Sequence, residues 1–242
     1  MIIHKQTHML MLLISLILLL LVLGSSCVVT EQLTFNSSGY NASKFDFTVE
    51  DFFIAVLEDF SEFAPEEQEA SLMDSAITDF DRALKYSSTT NSVAMYKLTD
   101  NAYKGQFNFM DLDKLFSDLG AGKEQSLLRQ SNNTLTFNLS MDNYDQLVPV
   151  IPFLADENFE AFGPVYNQGL GESDYLEMIS FMLGEEGPPA IEASTITLRI
   201  ATPKPIKGFT NGRKVGPSLY EFSFPLIDFL LLAKPITFSV SW

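Results

Sequence analysis

The sequence predicts an α+β fold, antiparallel β-hairpins each followed by a short helix, plus two longer amphipathic helices. Three observations carry this. Four stretches share one order: a Phe-led alternating strand, an acidic residue, then a short apolar helix. Each is preceded by a second alternating run and a turn. Two further stretches repeat apolar residues at helical rather than strand spacing.

The four strand-to-helix stretches are FDFTVEDFFIAVL (45–57), FNFMDLDKLFSDL (107–119), FNLSMDNYDQLVPVI (137–151) and FSFPLIDFLLL (222–232). Phe opens each one and Phe or Leu follows two residues later, the period of a strand with one buried face. The spacing then becomes helical: Phe53, Val56, Leu57 and Phe60 share a face, as do Leu112, Leu115, Phe116 and Leu119. Thr48 and Asp51 fit a capping-box start, and Gly120 fits a helix stop. The partner strands are VVTEQLTF (28–35) before NSSGYN, VAMYKLT (93–99) before DNAYKG, and SLLRQ (126–130) before SNN. The fourth, STITLRIAT (194–202), precedes a long Pro-containing loop with Asn211-Gly212, a favoured hairpin turn. ITFSVSW (236–242) reads as a last strand.

Two longer helices interrupt the series. In 65–87, Pro65 and the acidic residues after it suit a first turn, and Met73, Ile77, Phe80 and Leu84 form an apolar stripe. The 173–184 helix begins at a capping Ser173 and ends at Gly184. Its Tyr175, Leu176, Met178, Ile179, Phe181, Met182 and Leu183 spread almost all round, so it is either deeply buried or offers an apolar side to something else. No linker rich in Gly, Ser or charge divides the chain, so 27–242 is expected to be one domain.

Residues 1–26 read as a signal peptide of the lipoprotein type. A polar start with His4, Lys5 and His8 leads into the apolar run 9–23, shorter than the roughly 20 residues of a membrane-spanning helix, and then into Gly24, Ser25 and Ser26. Cys27, the single cysteine, stands where a lipobox carries its acylated residue, although the usual Leu three positions earlier is Gly24 and Leu23 lies one further back. The competing readings are cleavage near Ser26 with a free thiol, or an uncleaved N-terminal helix. With acylation at Cys27, the protein is expected on the extracytoplasmic side of a bacterial membrane.

Removing that segment also removes chemistry. Both histidines leave with it, as does Lys5, so 15 basic residues become 14 against 31 acidic ones and the formal charge goes from −16 to −17. A chain with no histidine and an acylated cysteine has neither a Ser-His-Asp nor a Cys-His site, nor nitrogen and sulfur ligands for zinc. No cofactor or metal is expected. The charge argues against nucleic acid as a partner.

CVVTEQLTFNSSG (27–39) resembles the start of LppM-type bacterial envelope lipoproteins, where the acylated cysteine runs straight into a strand and an Asn-containing turn. STITLRIATPKPIKGFTNGRKVGPSLYEFSF (194–224) resembles a later hairpin of the same family. The resemblance implies a secreted α/β domain tied to the membrane and concerned with envelope lipid handling rather than catalysis. The sequence departs from the family in its last stretch: FPLIDFLLLAKPITFSV carries Pro225, Asp228, Lys234 and Pro235 where members often continue into a membrane helix.

The least regular segment, 153–178, with the helix after it, supplies a candidate apolar-ligand or partner surface at Phe153, Phe159, Phe162, Tyr166, Tyr175 and Phe181. The competing reading is a loop whose aromatics pack onto the core. Asp111 with Asp113, or Asp142 with Asp145, is the acid/base pair a hydrolase would need, but each pair stands at a helix start, where carboxylates favour the dipole. The expectation is therefore a non-catalytic envelope lipoprotein that binds a lipid, another apolar ligand or an envelope protein. The alternatives are a structural or assembly lipoprotein and, further off, a carboxylate hydrolase.

Overall fold

The computed structural model describes residues 28–50, 54, 72–155 and 157–242. The signal segment, Cys27, Asp51, the helical face of Phe53, Val56, Leu57 and Phe60, and Pro65 lie outside the described residues.

Each hairpin foreseen in the sequence forms. The first pairs β1 (Val28–Thr34) with β2 (Asn41–Thr48), closed by a turn in which the Asn36 amide donates to Asn41 Oδ1 at 3.0 Å. After α1 (Leu72–Tyr86), β3 (Thr90–Thr99) and β4 (Ala102–Phe109) are joined by the two residues Asp100 and Asn101. α2 (Leu112–Asp118) follows, with Asp111 as its N-cap, accepting from the Lys114 amide at 2.9 Å. It stops where expected: Gly120 has φ of +102°, the Gly120 amide donates to Ser117 and the Ala121 amide to Phe116, the paired bonds of a Schellman motif.

The third hairpin, β5 (Leu128–Ser131) and β6 (Thr134–Leu139), turns at Asn132-Asn133 and leads into the single turn α3 (Tyr144–Leu147). A 3₁₀ turn (Pro152–Ala155) and α4 (Glu157–Glu160) come next, then α5 (Glu172–Leu183) and α6 (Gly187–Ala193). Gly171, not Ser173, is the N-cap of α5; Ser173 lies within the first turn, and Gly184 ends the helix at φ +80°.

The last unit is more elaborate than a hairpin. β7 (Thr195–Ala201) pairs with β10 (Leu219–Pro225), but two short strands, β8 (Gly208–Thr210) and β9 (Arg213–Gly216), lie in the loop between them. α7 (Leu226–Leu231) and β11 (Ile236–Ser241) complete the chain. The strands form two sheets, β3-β4-β2-β1-β7-β10-β9 and β5-β6-β11-β8. The structure adds one pairing that the hairpins do not imply and corrects one expectation. Every hairpin is antiparallel, but the first and last units meet through a parallel pair, β1 with β7. Asn211-Gly212 has the left-handed geometry of a hairpin turn, yet β8 pairs with β11 and β9 with β10, so the turn hands the chain from one sheet to the other.

The large sheet has one wet face and one dry face, as antiparallel sheets commonly do. Outward positions carry Thr30, Gln32, Lys44, Asp46, Lys104, Gln106, Thr197 and Arg199, tied by a Lys104–Asp46 ion pair at 3.0 Å and a Thr197–Ser223 hydroxyl bond at 2.8 Å. Glu221, 6% exposed, is clamped between Arg199 and Arg213, which hold its carboxyl below the usual range. Inward positions meet the small sheet and the helices: Leu33, Phe35, Phe107, Phe109, Ile200 and Tyr220 share a core with Leu135, Phe238, Val240 and Trp242. Within α1, Met73 and Leu84 are buried and Ile77 and Phe80 half-buried, while Asp79, Arg82, Asp81 and Lys85 pair on the other side.

At Gly212 the backbone has φ +60°, and a Cβ there would stand 2.5 Å from Tyr220 Oη and 2.6 Å from the Glu221 carbonyl oxygen. Gly39 has φ +79° with nothing within 4 Å. Gly212→Ala is expected to cost about 2–4 kcal/mol and Gly39→Ala only about 1, compared by urea denaturation.

Candidate ligand-binding face

Strand registers place the inward side chains of the large sheet in three rows. The first runs Phe107, Ser43, Leu33, Ile200, Tyr220 from β4 to β10; the second Gly105, Phe45, Glu31, Leu198, Phe222; the third Tyr103, Phe47, Val29, Ile196, Phe224. The first row is buried throughout. In the other two, the central side chains Val29, Glu31, Phe45, Phe47, Ile196 and Leu198 are only half-buried. The described residues therefore leave the dry side of these central strands partly accessible.

Glu31 is the one carboxylate in these rows. It alternates with Val29, Leu33 and Phe35 and faces Phe45 and Leu198 on its neighbouring strands. The Ser43 hydroxyl, itself 1% exposed, donates to Glu31 Oε1 at 2.7 Å. Burial pushes the Glu31 carboxyl up to about 7, and the Ser43 hydrogen bond restrains the rise. Among the described residues no buried side-chain oxygen or nitrogen lacks a partner, and Ser43 on Oε1 is Glu31's described bond. Oε2 is therefore reached by solvent, inside an environment that is otherwise apolar.

Gly105 makes room for this arrangement. A Cβ on Gly105 would meet Cε1 and Cζ of the Phe45 ring at 2.2 Å and Met95 Sδ at 2.6 Å, so the ring occupies the place a side chain would take. Phe45 also meets Phe80 of α1 at 5.9 Å between ring centres.

The six aromatic residues singled out in the sequence fall into three places. Phe153 stacks on Phe47 at 5.8 Å and meets Phe159 at 5.1 Å, which brings these two to the third row. Phe162 and Tyr175 belong to a separate core with Ile179, Leu183, Ile191, Ile227 and Leu231. There the Tyr175 hydroxyl donates to the Phe162 carbonyl at 3.2 Å, and burial raises its pKa. Tyr166 and Phe181 face solvent at 66% and 92% exposure. α5 is thus buried on one side while Phe181 and Met182 stand out on the other. Cys27 lies outside the described residues.

Elsewhere, α1 and β3 border a groove of about 410 Å³ whose charged groups pair with one another: Lys97 Nζ lies 2.8 Å from Asp74, and the Tyr103 hydroxyl donates to Asp74 at 2.8 Å. Asp111 is occupied as a helix cap and Asp113 accepts from Gln125 Nε2 at 3.0 Å.

Glu31, Ser43 and Gly105 are not among the candidates the sequence suggests, and Phe45 is there only the first residue of a strand's buried face. A signal was present for two of them, an acid at an inward position of an alternating strand and a glycine inside another. No family model and no curated protein sequence matches the chain. Among solved structures it is similar to the NMR structure of the folded domain of LppM from Mycobacterium tuberculosis, with 11% identity and a TM-score of 0.38, over 90% of this chain and 89% of that one. That similarity is weak and structural.

Because the folded Glu31 carboxyl titrates near 7 and an unfolded one near 4.5, the folded chain holds a proton that the unfolded chain has released between those values. Stability contributed by Glu31 is full below about pH 4.5 and declines through pH 7, by at most about 3 kcal/mol. In Glu31→Gln that decline disappears. Urea unfolding of both proteins at pH 5 and pH 8 checks it, and parallel curves would refute the burial.

Proposed function

We propose that this protein is a bacterial envelope lipoprotein, acylated at Cys27 and held at the extracytoplasmic side of a membrane, whose α+β domain binds an apolar or lipid ligand without chemistry of its own. One observation carries the binding reading: the dry side of the three central strands stays half-accessible at Val29, Phe45, Phe47, Ile196 and Leu198. Exposed apolar surface costs about 25 cal/mol per Å². A core that leaves it open on its central strands is suited to a guest that covers it. Phe153 and Phe159, the two candidates nearest this face, extend its aromatic border. Membrane attachment is supported by the sequence pattern of residues 1–27, and β1 begins immediately after Cys27.

A second reading has an observation of its own. Phe181 and Met182 project from α5 at 92% and 38% exposure, which suits a structural or assembly lipoprotein that docks a protein partner there.

Two experiments test the proposal. A Cys27→Ala variant should leave the membrane fraction and lack the acyl mass; a variant that stays bound with unchanged mass refutes the anchor. The chain beginning at Val28, purified without detergent, should show extra mass in native spectra that is lost on denaturation and recovered in an organic extract. A clean apo mass that also fails to take up N-phenyl-1-naphthylamine, a neutral apolar dye, counts against ligand binding and in favour of the partner reading.

A further inference from the structure

The one described structural bond of Glu31 is the hydrogen bond it accepts from the Ser43 hydroxyl, which uses only Oε1. The residue sits mid-strand in the centre of the sheet, between Phe45 and Leu198, in a row that is otherwise apolar. No ion pair reaches it among the described residues, and its described partner is a hydroxyl on Oε1, which leaves Oε2 as an acceptor with no described protein partner. The side chains that flank it, Val29 and Leu33 on its own strand, Phe45 and Phe47 on β2, Ile196 and Leu198 on β7, carry no titratable or hydrogen-bonding group. Ser43, the only polar neighbour on these strands' dry side beside it, is already engaged on Oε1. A carboxyl kept in such a place costs desolvation that the Ser43 hydrogen bond returns only in part.

Resting on the apolar-ligand reading above, we infer that Glu31 is the polar anchor of the site and that the ligand is an amphiphile whose head group donates a hydrogen bond, a hydroxyl or an ammonium, rather than an anionic lipid. Oε2 accepts from such a head while the chain lies over Phe45, Phe47, Val29 and Leu198. An anionic head would place like charge against Glu31 in surroundings of low dielectric, with no described cation beside it to compensate. The raised pKa of Glu31 agrees with this geometry.

The test uses the chain from residue 27 onward, made non-acylated by Cys27→Ala, in detergent-free buffer at pH 8, with N-phenyl-1-naphthylamine bound. The dye is displaced by 1-dodecanol, dodecylammonium and dodecanoate, which share one chain length and differ in the head. Dodecanol and dodecylammonium should displace it at concentrations about tenfold or more below dodecanoate, and their order separates a hydroxyl from an ammonium ligand. In Glu31→Gln, and in Glu31→Leu should the first variant fold poorly, the discrimination against dodecanoate, read against each variant's own dye affinity, should fall to within about threefold. If the dye binds but the three heads are equivalent in the parent, or the preference survives in a variant that still binds dye, the role of Glu31 is overturned and apolar binding stands. If neither dye nor dodecanol binds the parent, the apolar-ligand reading falls, and this inference with it.

Discussion

The parallel pairing of β1 with β7 is the constraint on which the rest of the structure depends. It runs in register from Val28 opposite Thr195 to Thr34 opposite Ala201 and continues in the hydrogen bond from the Phe35 amide to the Ala201 carbonyl at 2.8 Å. It joins segments more than 160 residues apart and makes one seven-stranded sheet from what would otherwise be a four-stranded piece, β3-β4-β2-β1, and a three-stranded one, β7-β10-β9. Loop-closure entropy makes such a contact expensive to form, so it fits late in folding, after the hairpins whose turns are two residues long.

Once the seam exists, the division of the sheet into a wet face and a dry face follows from strand parity. The wet side needs no cover, because Glu221 is held by two arginines and the threonines and lysines are solvated or paired. The dry side is covered unevenly. At one end the small sheet closes over it: Trp242 stacks on Phe35 at 5.8 Å, and Phe238 meets Tyr220 and Phe222 at 5.3 and 5.2 Å. Toward the other end the central strands keep Val29, Glu31, Phe45 and Phe47 half-accessible. The candidate site is where, among the described residues, the second layer covers the first only in part.

Much of the fold was legible because its determinants are local. Alternation in FNFMDL and FSFPLI marks a strand with one dry side, Gly120 ends α2 through its own backbone geometry, and Asp111 caps the same helix from three residues away. Where several residue types satisfy the same local need, sequence was less decisive. Gly171 caps α5 although Ser173 has the better side chain for it, because packing of Tyr175, Ile179 and Leu183 sets where that helix begins. Asn211-Gly212 has the turn geometry its sequence implies, but which strands flank it was beyond local information.

The candidate site shows the same division more sharply. The sequence by itself determined the α+β class, the hairpin-helix order, the strand parity that points Glu31 inward, and a stock of aromatic residues around 153–181, all consequences of side-chain period and turn chemistry. Only the tertiary structure decided that Phe153 and Phe159 join Phe47 while Phe162 and Tyr175 are packed into a separate core and Tyr166 and Phe181 are left in solvent. It alone set Glu31 between Phe45 and Leu198 and gave it Ser43. The reason is physical: period and turns act over a few residues, whereas the neighbours of an inward side chain depend on which distant strand lies beside it, and that depends on how the whole dry surface is shared between two layers.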